Sequence, residues 1–390
     1  MTGGGSGGHI TPILAVASEI KHTHPEYTIT YIGQTGDAFG AVVAEHALID
    51  RVFTVQAGKF RRYHSEGLRQ LLDVRTAWLN IRDAFRVVVG FVQCWQFLRH
   101  NRPDVVFCKG GFVGVPVGLA AALLGIPYVT HDSDAIPGLA NRIIARWAAK
   151  HAVALDPKLY PYSATQTINT GVPVAPEYQR VTPDLQADAR KVLGIDPRAR
   201  MIVITGGGLG AARLNHATVK AMPALLDAYP DAVIVHTAGA KHESVVGEAY
   251  DAMLSPAQRQ RVTVLGYTTK LALYSAAADV VVARGGATNL AELAVQGKAC
   301  IVVPNPLLTG GHQLKNAKAF ADKDAILVVD ETALKHNHEL LLHAIMHLLD
   351  DTELRQRMSK ALLTFARPNA AKELAECIIS VANSEGKRVS

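Results

Sequence analysis

Four short stretches place reactive or ligand-holding side chains beside glycine turns. In "TGGGSGGHITPILAVA", which begins at Thr2, His9 follows the glycines directly, where an imidazole is either a buried structural group or a base beside an anion site. In "VTHDSDAIPGLANR" the trio His131, Asp132 and Asp134 follows an apolar run, and these groups either cap a turn or face a ligand at the carboxyl end of the sheet. "VVARGGATNLAELA" places Arg284, a Gly285-Gly286 turn and then Glu292 in the first turn of an expected helix. A carboxylate there either caps backbone N–H groups or accepts both hydroxyls of a ribose. "PNPLLTGGHQLKNAKAF" brings His312, Gln313 and Asn316 to another helix start, with amides suited to sugar hydroxyls.

A second glycine loop, "TGGGLGAARLNHA" from Thr205, follows the apolar run Met201 to Thr205 and opens an expected helix over 211–221. Backbone N–H groups at such a start, free of Cβ atoms and backed by the helix dipole, form a phosphate site. The first loop has the same form and also fits G-x-G-x-x-G through Gly3, Gly5 and Gly8, but the acidic residue that should close the next strand is replaced by Gly33-Gln34. That argues against a nicotinamide dinucleotide.

The elements that must hold these loops are legible as short β-branched runs alternating with helical patterns: "YTITYI", "PDVVFC", "PYVT", "HAVAL", then "MIVIT", "AVIVHT", "RVTVL", "DVVVA", "CIVVP" and "AILVV". Runs of this kind belong to parallel strands buried on both faces by crossover helices, so the expected class is α/β. The alternation breaks at "NTGVPVAPEYQRVTPD", Asn169 to Asp184, and each half carries its own glycine loop. The expectation is two Rossmann-like domains, 1–172 and 173–366, with a helix in 367–390 that crosses back to the first.

Composition agrees. With 390 residues, 49% hydrophobic and 19% charged, the chain is long enough for two globular domains. The four cysteines have no paired spacing and no secretory leader is apparent, so neither a disulfide framework nor a zinc site is expected. The stretch Phe112 to Thr130 is apolar but is interrupted by Pro116 and Gly125-Ile126-Pro127, which makes it a buried helix and strand rather than a span. A net charge of +6 admits phosphorylated ligands or an anionic membrane. No finger, helix-turn-helix or aromatic stripe points to nucleic acid.

Taken in order, "GGGSGGHITPILAVA", "GGFVGVPVGLAA", "HDSDAIPGLANR", "TGGGLGAARLN", "ARGGATNLAE" and "GGHQLKNA" resemble the motif set of the MurG family, the peptidoglycan glycosyltransferases that convert lipid I to lipid II. The resemblance spans essentially the whole chain. It implies a GT-B architecture, two Rossmann-like domains facing a cleft, and inverting transfer from UDP-N-acetylglucosamine to an undecaprenyl-diphosphate-linked muramyl peptide. It also implies a peripheral position on the cytoplasmic face of the membrane, no metal and no cofactor.

By matched position, the resemblance implies that His9 or Asp132 is the base and that Gly5, Gly110 and Gly111 stand on the acceptor side. Ser6, Gly7 and Gly8 form the acceptor-side loop that also reaches the donor, as does Asp134. Gly208, Leu209 and Gly210 would hold the donor diphosphate and Thr268 the uracil edge. Arg284 and the run Ala287, Thr288, Asn289, Leu290, Ala291 and Glu292 would hold the nucleoside, and Gln313 and Asn316 the sugar. The sequence departs from the family pattern at Asp132-Ser133-Asp134, Gly208-Leu209 and Ala175. The alternatives are another UDP-sugar enzyme of the same architecture, a glycolipid transferase or a UDP-GlcNAc 2-epimerase, or a non-catalytic UDP-sugar-binding subunit.

Two further expectations concern the first domain. Leu68, Leu71, Leu72, Trp78, Ile81, Phe85, Val88, Phe91 and Trp95 recur at helical spacing between Lys59, Arg61, Arg62 and Arg99, Arg102. This is either a core face or a face that docks on an anionic leaflet. A Rossmann half also begins with its central strand, yet only Met1 precedes Thr2. The expectation is a sheet lacking its first strand, with further apolar residues upstream of the recorded start.

Overall fold

The computed structural model describes residues 1–4, 7–36, 43, 46–58, 74–207 and 210–386. Two compact units divide the chain, one formed by Met1–Ala175 with Arg367–Ser390 and the other by Pro176–Ala366.

In the first unit, β1 (Thr30–Gln34) pairs in parallel with β2 (Arg51–Val55), while β3 (Val106–Cys108), β4 (Tyr128–Asp132), β5 (Lys150–Val153) and β6 (Thr167–Asn169) form a parallel run. As expected, the described residues form no strand between β1 and β3. Thr2 bridges to Ile32 on one side and to Cys108 on the other. Its N–H donates to Phe107 O at 2.8 Å, the Lys109 N–H donates to Thr2 O at 2.9 Å, and the Ile32 N–H donates to Met1 O at 2.9 Å. Met1 and Thr2 thus satisfy the backbone groups of Ile32, Phe107 and Lys109 that face them without forming a strand. Beneath Met1 the sheet opens into a cavity of about 700 Å³ lined by Ile29, Thr30, Val106, Phe107 and Ile378.

One sheet face is covered by α1 (Gly7–Thr23), whose Ile10, Ile13, Val16 and Ile20 pack with Leu374, Ala375, Ile378 and Val381 of a C-terminal helix, Ala370–Gly386. The other face receives α2 (Val74–Asn101) and α3 (Gly114–Leu123) through Cys94, Leu98, Val117 and Ala121. The run from Phe112 to Thr130 is thus a buried helix followed by a buried strand, as its breakers require.

Helix α2 has two unlike faces. Asp83, Gly90, Cys94 and Leu98 turn inward, and a Cβ at Gly90 would fall 1.8 Å from Gln56 O, so only glycine permits that approach. On the opposite side Trp78, Ile81, Phe85, Val88 and Val92 are 45–70% exposed. Phe91 and Trp95 are half-buried against the core. Leu68, Leu71, Leu72, Lys59, Arg61 and Arg62 lie outside the described residues. Among the described residues no helix is long and apolar enough to cross a membrane.

The second unit has a parallel sheet in which β7 (Arg200–Thr205) lies between β10 (Val280–Ala283) and β8 (Ala232–Thr237). Its outer strands are β9 (Val262–Leu265), β11 (Cys300–Val302) and β12 (Leu327–Val328). This is the doubly wound order, with the first strand of the unit central and the crossovers on both faces. The strands are largely apolar because both faces are covered: Ile202 and Ile204 meet Leu214, Met222 and Leu225 of α4 (Ala212–Ala228).

Candidate active site

Ligands of doubly wound sheets sit at the carboxyl ends of the strands, and each unit has a built constellation there. In the first unit Gly110 and Gly111 follow β3 with φ of +105° and +80°, and a Cβ on Gly111 would fall 2.6 Å from Gly4 O. Two glycine turns thus touch at the end of the sheet, and only glycine fits. Gly7, Gly8 and His9 form the first turn of α1, which puts His9 at the helix mouth. Gly5, Ser6 and the His9 side chain lie outside the described residues.

Strand β4 delivers His131 and Asp132, both buried. His131 Nε2 donates to Gly171 O at 2.8 Å, a structural bond. Asp132 is surrounded by donors: Oδ1 accepts from Gly138 N at 3.1 Å and Asn141 Nδ2 at 2.9 Å, and Oδ2 accepts from the Tyr162 hydroxyl at 2.7 Å. Burial pushes the Asp132 carboxyl above the ordinary carboxylate range, while those donors and the Lys109 ammonium pull it back. Asp134 is half-buried, and its carbonyl accepts from the Tyr160 hydroxyl at 2.8 Å.

Lys109, Asn141 and Tyr162 were not singled out from the sequence. A lysine beside two glycines reads as a solvated turn, yet Lys109 is 1% exposed and its Nζ donates to Ser133 Oγ at 2.7 Å. The available signal was its place immediately after a fully apolar strand.

In the second unit the loop between β7 and α4 turns on Gly207 and Gly210, with φ of +79° and +74°. A Cβ on Gly210 would fall 2.3 Å from Ala238 O, and Asn215 Nδ2 donates to the same carbonyl at 2.9 Å, so the loop is seated on the end of β8. The loop thereby brings the start of α4 to the carboxyl end of β7, where backbone N–H groups can meet an anion. Gly208 and Leu209 lie outside the described residues.

Helix α5 (Ala287–Gln296) begins after Gly285-Gly286. Glu292 is in its second turn, not its first, so it is too far along to cap the helix. The Tyr178 hydroxyl donates to it, and burial raises its carboxyl to about 7. Ala287, Thr288, Asn289 and Ala291 are half-buried around the helix start, whereas Leu290 is wholly core.

Arg284 is turned inward, with Nη1 donating to Val303 O at 2.9 Å and its other arm paired with Glu331. Asn316 Nδ2 donates to Gly285 O at 3.0 Å, and the Gln313 Oε1 accepts from Asn305 N at 2.8 Å. Both lie in α6 (His312–Ala321), which they tie to the Gly285 turn and the Asn305 loop. Thr268, half-buried after β9, accepts from Lys270 N at 3.0 Å through its hydroxyl. Of the residues expected around a donor, the described ones of the second unit fall at the carboxyl ends of β7, β9, β10 and β11, whereas Gly7, Gly8 and Asp134 belong to the first unit.

Two Rossmann-like units, each with its own glycine turn at the carboxyl end of a parallel sheet, define a GT-B-type protein. A crystal structure of MurG from Acinetobacter baumannii has this fold, with a TM-score of 0.72 and 24% identity over 97% of this chain and 98% of that one. A UDP-N-acetylglucosamine 2-epimerase-like structure from Listeria monocytogenes shares it at a TM-score of 0.63 and 14% identity, covering 97% and 95%.

Residues 1–153 match the glycosyltransferase family 28 N-terminal domain and residues 201–374 match the family's C-terminal domain. The chain is 31% identical over 98% of its length to the UDP-N-acetylglucosamine--N-acetylmuramyl-(pentapeptide) pyrophosphoryl-undecaprenol N-acetylglucosamine transferase of Moorella thermoacetica, covering 99% of that enzyme. It is 32% identical over 96% of its length to the transferase of that name in Bacillus cytotoxicus, covering 97% of it. The chain belongs to glycosyltransferase family 28 and, within it, to the MurG family.

Proposed function

We propose that this chain transfers N-acetylglucosamine from UDP-N-acetylglucosamine to the 4-hydroxyl of the undecaprenyl-diphosphate-linked muramyl peptide, the step from lipid I to lipid II in peptidoglycan synthesis. The observation that carries the reading is identity of about 30% over nearly the full length of transferases with that activity. The glycine turns of both units support it.

The donor diphosphate lies over Gly207 to Ala211 and the start of α4, where backbone N–H groups meet charge developing on the leaving group. Glu292 accepts the ribose hydroxyls, and Gln313 and Asn316 face the sugar. The acceptor diphosphate lies over the segment from Gly5 to Gly8 and the Gly110-Gly111 turn. As the acceptor oxygen forms its bond to the anomeric carbon, the bond from that carbon to UDP breaks and the electron pair leaves with UDP. The acceptor proton passes to Asp132 or His9, and the configuration inverts. The family is membrane-associated, and the exposed stripe of α2 supports docking on the anionic, cytoplasmic face of the membrane.

The test is UDP release by the purified protein with UDP-N-acetylglucosamine and lipid I. Acceptor-dependent release, with lipid II formed, is expected. Turnover of the donor without acceptor would replace this reading with an epimerase or hydrolase. Alanine at His9 and asparagine at Asp132 separate the two bases, since loss of a general base costs about two to four orders of magnitude.

A further inference from the structure

A lysine buried to 1% exposure at the end of a sheet requires a reason, because a desolvated ammonium is costly unless anions face it. Lys109 follows β3 and is fixed at both ends: its backbone N–H donates to Thr2 O at 2.9 Å and its Nζ to Ser133 Oγ at 2.7 Å. Ser133 lies between two carboxylates, Asp132 and Asp134, and both favour the Lys109 cation. The lysine side chain therefore joins the carboxyl ends of β3 and β4 directly under the Gly110-Gly111 turn.

The charges around Asp132 are unequal. From β3 comes Lys109, and from the segment after β4 comes Asp134. The Tyr160 and Tyr162 hydroxyls approach from the chain after β5, with Arg142 beyond Tyr162. His131 is bonded to Gly171, and His151 of β5 is stacked on the Tyr162 ring with centroids 4.0 Å apart. Among the described residues, Lys109 is the cation that acts on the Asp132 carboxylate. Three neutral donors orient that carboxylate, and one ammonium opposes its desolvation.

We propose that Lys109 is a positioning residue for Asp132: anchored on Ser133, its ammonium holds the end of β4 in place and keeps the buried carboxylate ionised, the form in which it can accept the acceptor's proton. The inference rests on the reading of Asp132 as the base. Lys109 need not touch substrate. Burial lowers its ammonium to about 8, so the arrangement is charged at neutral pH and fails on the alkaline side as the ammonium deprotonates.

The test is the pH dependence of kcat from 5.5 to 9.5, at saturating UDP-N-acetylglucosamine and lipid I, for the full chain and for Lys109→Met, Lys109→Arg and Ser133→Ala. In Lys109→Met the acid limb should move to higher pH by about one unit, so that kcat on that limb falls about tenfold, with KM for the donor unchanged. The alkaline limb contributed by Lys109 should disappear. Lys109→Arg should recover most of the rate, and Ser133→Ala should move the acid limb in the same direction by less.

Asp132→Asn separates the two ideas. If Asp132→Asn is inactive but Lys109→Met keeps the wild-type acid limb, the Lys109 proposal is overturned and the base stands. If Asp132→Asn keeps its activity, the base reading has failed. Should Lys109→Met not fold, Ser133→Ala decides: an unmoved acid limb refutes the role of the anchored ammonium.

Discussion

The Tyr178 hydroxyl donates a hydrogen bond to the Glu292 carboxylate, joining the segment that leads into the second unit to the second turn of α5. Glu292→Ala should weaken UDP binding by about 1.5 to 3 kcal/mol, the scale of charge-assisted bonds, with little change in melting temperature. Because Glu292 titrates near 7 and must be ionised to accept both hydroxyls, UDP affinity should fall as pH drops below about 7. Tyr178→Phe removes a donor that favours the carboxylate and should move that transition upward. Calorimetric titration at several pH values reads all three, and a pH-independent affinity would place the ribose elsewhere.

Two of the positive-φ glycines, Gly210 and Gly111, give an orthogonal pair. Gly210→Ala places a methyl 2.3 Å from Ala238 O at φ +74°, and Gly111→Ala places one 2.6 Å from Gly4 O at φ +80°. Each forces backbone to move and should cost about 1 to 3 kcal/mol of local stability. Gly210→Ala should raise the KM for UDP-N-acetylglucosamine with the acceptor KM preserved, and Gly111→Ala the reverse. Steady-state kinetics with each substrate varied in turn checks the division, and both variants changing the same KM would refute it.

What the sequence made legible follows period and glycine. Runs such as "MIVIT" and "DVVVA" became central parallel strands because burial on both faces leaves no polar position to blur the pattern. Edge strands were missed for the converse reason: in β2 the residues Arg51, Val52 and Thr54 are exposed, and β6 is only Thr167–Asn169. The missing first strand was legible because a Rossmann half opens on its central strand, whereas the Thr2 bridge was not, since a single bridged residue has no period. Lys109 and Tyr178 were invisible since each sits in chain that composition assigns to loops. Only the fold shows that Ser133 and Glu292 are their partners.

Two buried histidines make the fold acid-sensitive. His236 bonds Tyr250 through Nδ1 at 3.0 Å and Asn215 through Nε2 at 3.1 Å, and His151 lies beside Thr130 Oγ1 at 2.8 Å. Burial lowers both to about 4. Between about pH 4 and 6.5 the unfolded chain binds protons that the native chain refuses, so stability rises with pH across that window and is lost as pH falls through it. Each contributes up to about 3 kcal/mol. Urea unfolding at pH 7 and pH 4.5 should show the loss, and His236→Gln should remove part of it. An equal slope in that variant would mean that His236 is not the titrating group.

The outward face of α2 supplies the last prediction. Trp78, Ile81, Phe85, Val88 and Val92 follow one another at three- and four-residue steps, and the inward face is separately occupied by Asp83, Gly90, Cys94 and Leu98. The apolar stripe is therefore not the core face of the helix. The Arg82 and Arg99 guanidiniums lie over the rings of Trp78 and Trp95, at 5.6 and 5.1 Å, which holds cations beside the stripe where lipid phosphates would meet them. Vesicles with anionic lipid should co-sediment with the protein, more strongly as anionic content rises and less as salt screens the cations. Ile81→Asp with Phe85→Asp should abolish co-sedimentation, because charges on the stripe resist entry into the acyl boundary. Both positions are already in water, so the melting temperature should hold. Turnover of a short-chain, soluble acceptor should survive while turnover of vesicle-bound lipid I falls. Undiminished binding of the double variant would move the membrane contact off α2.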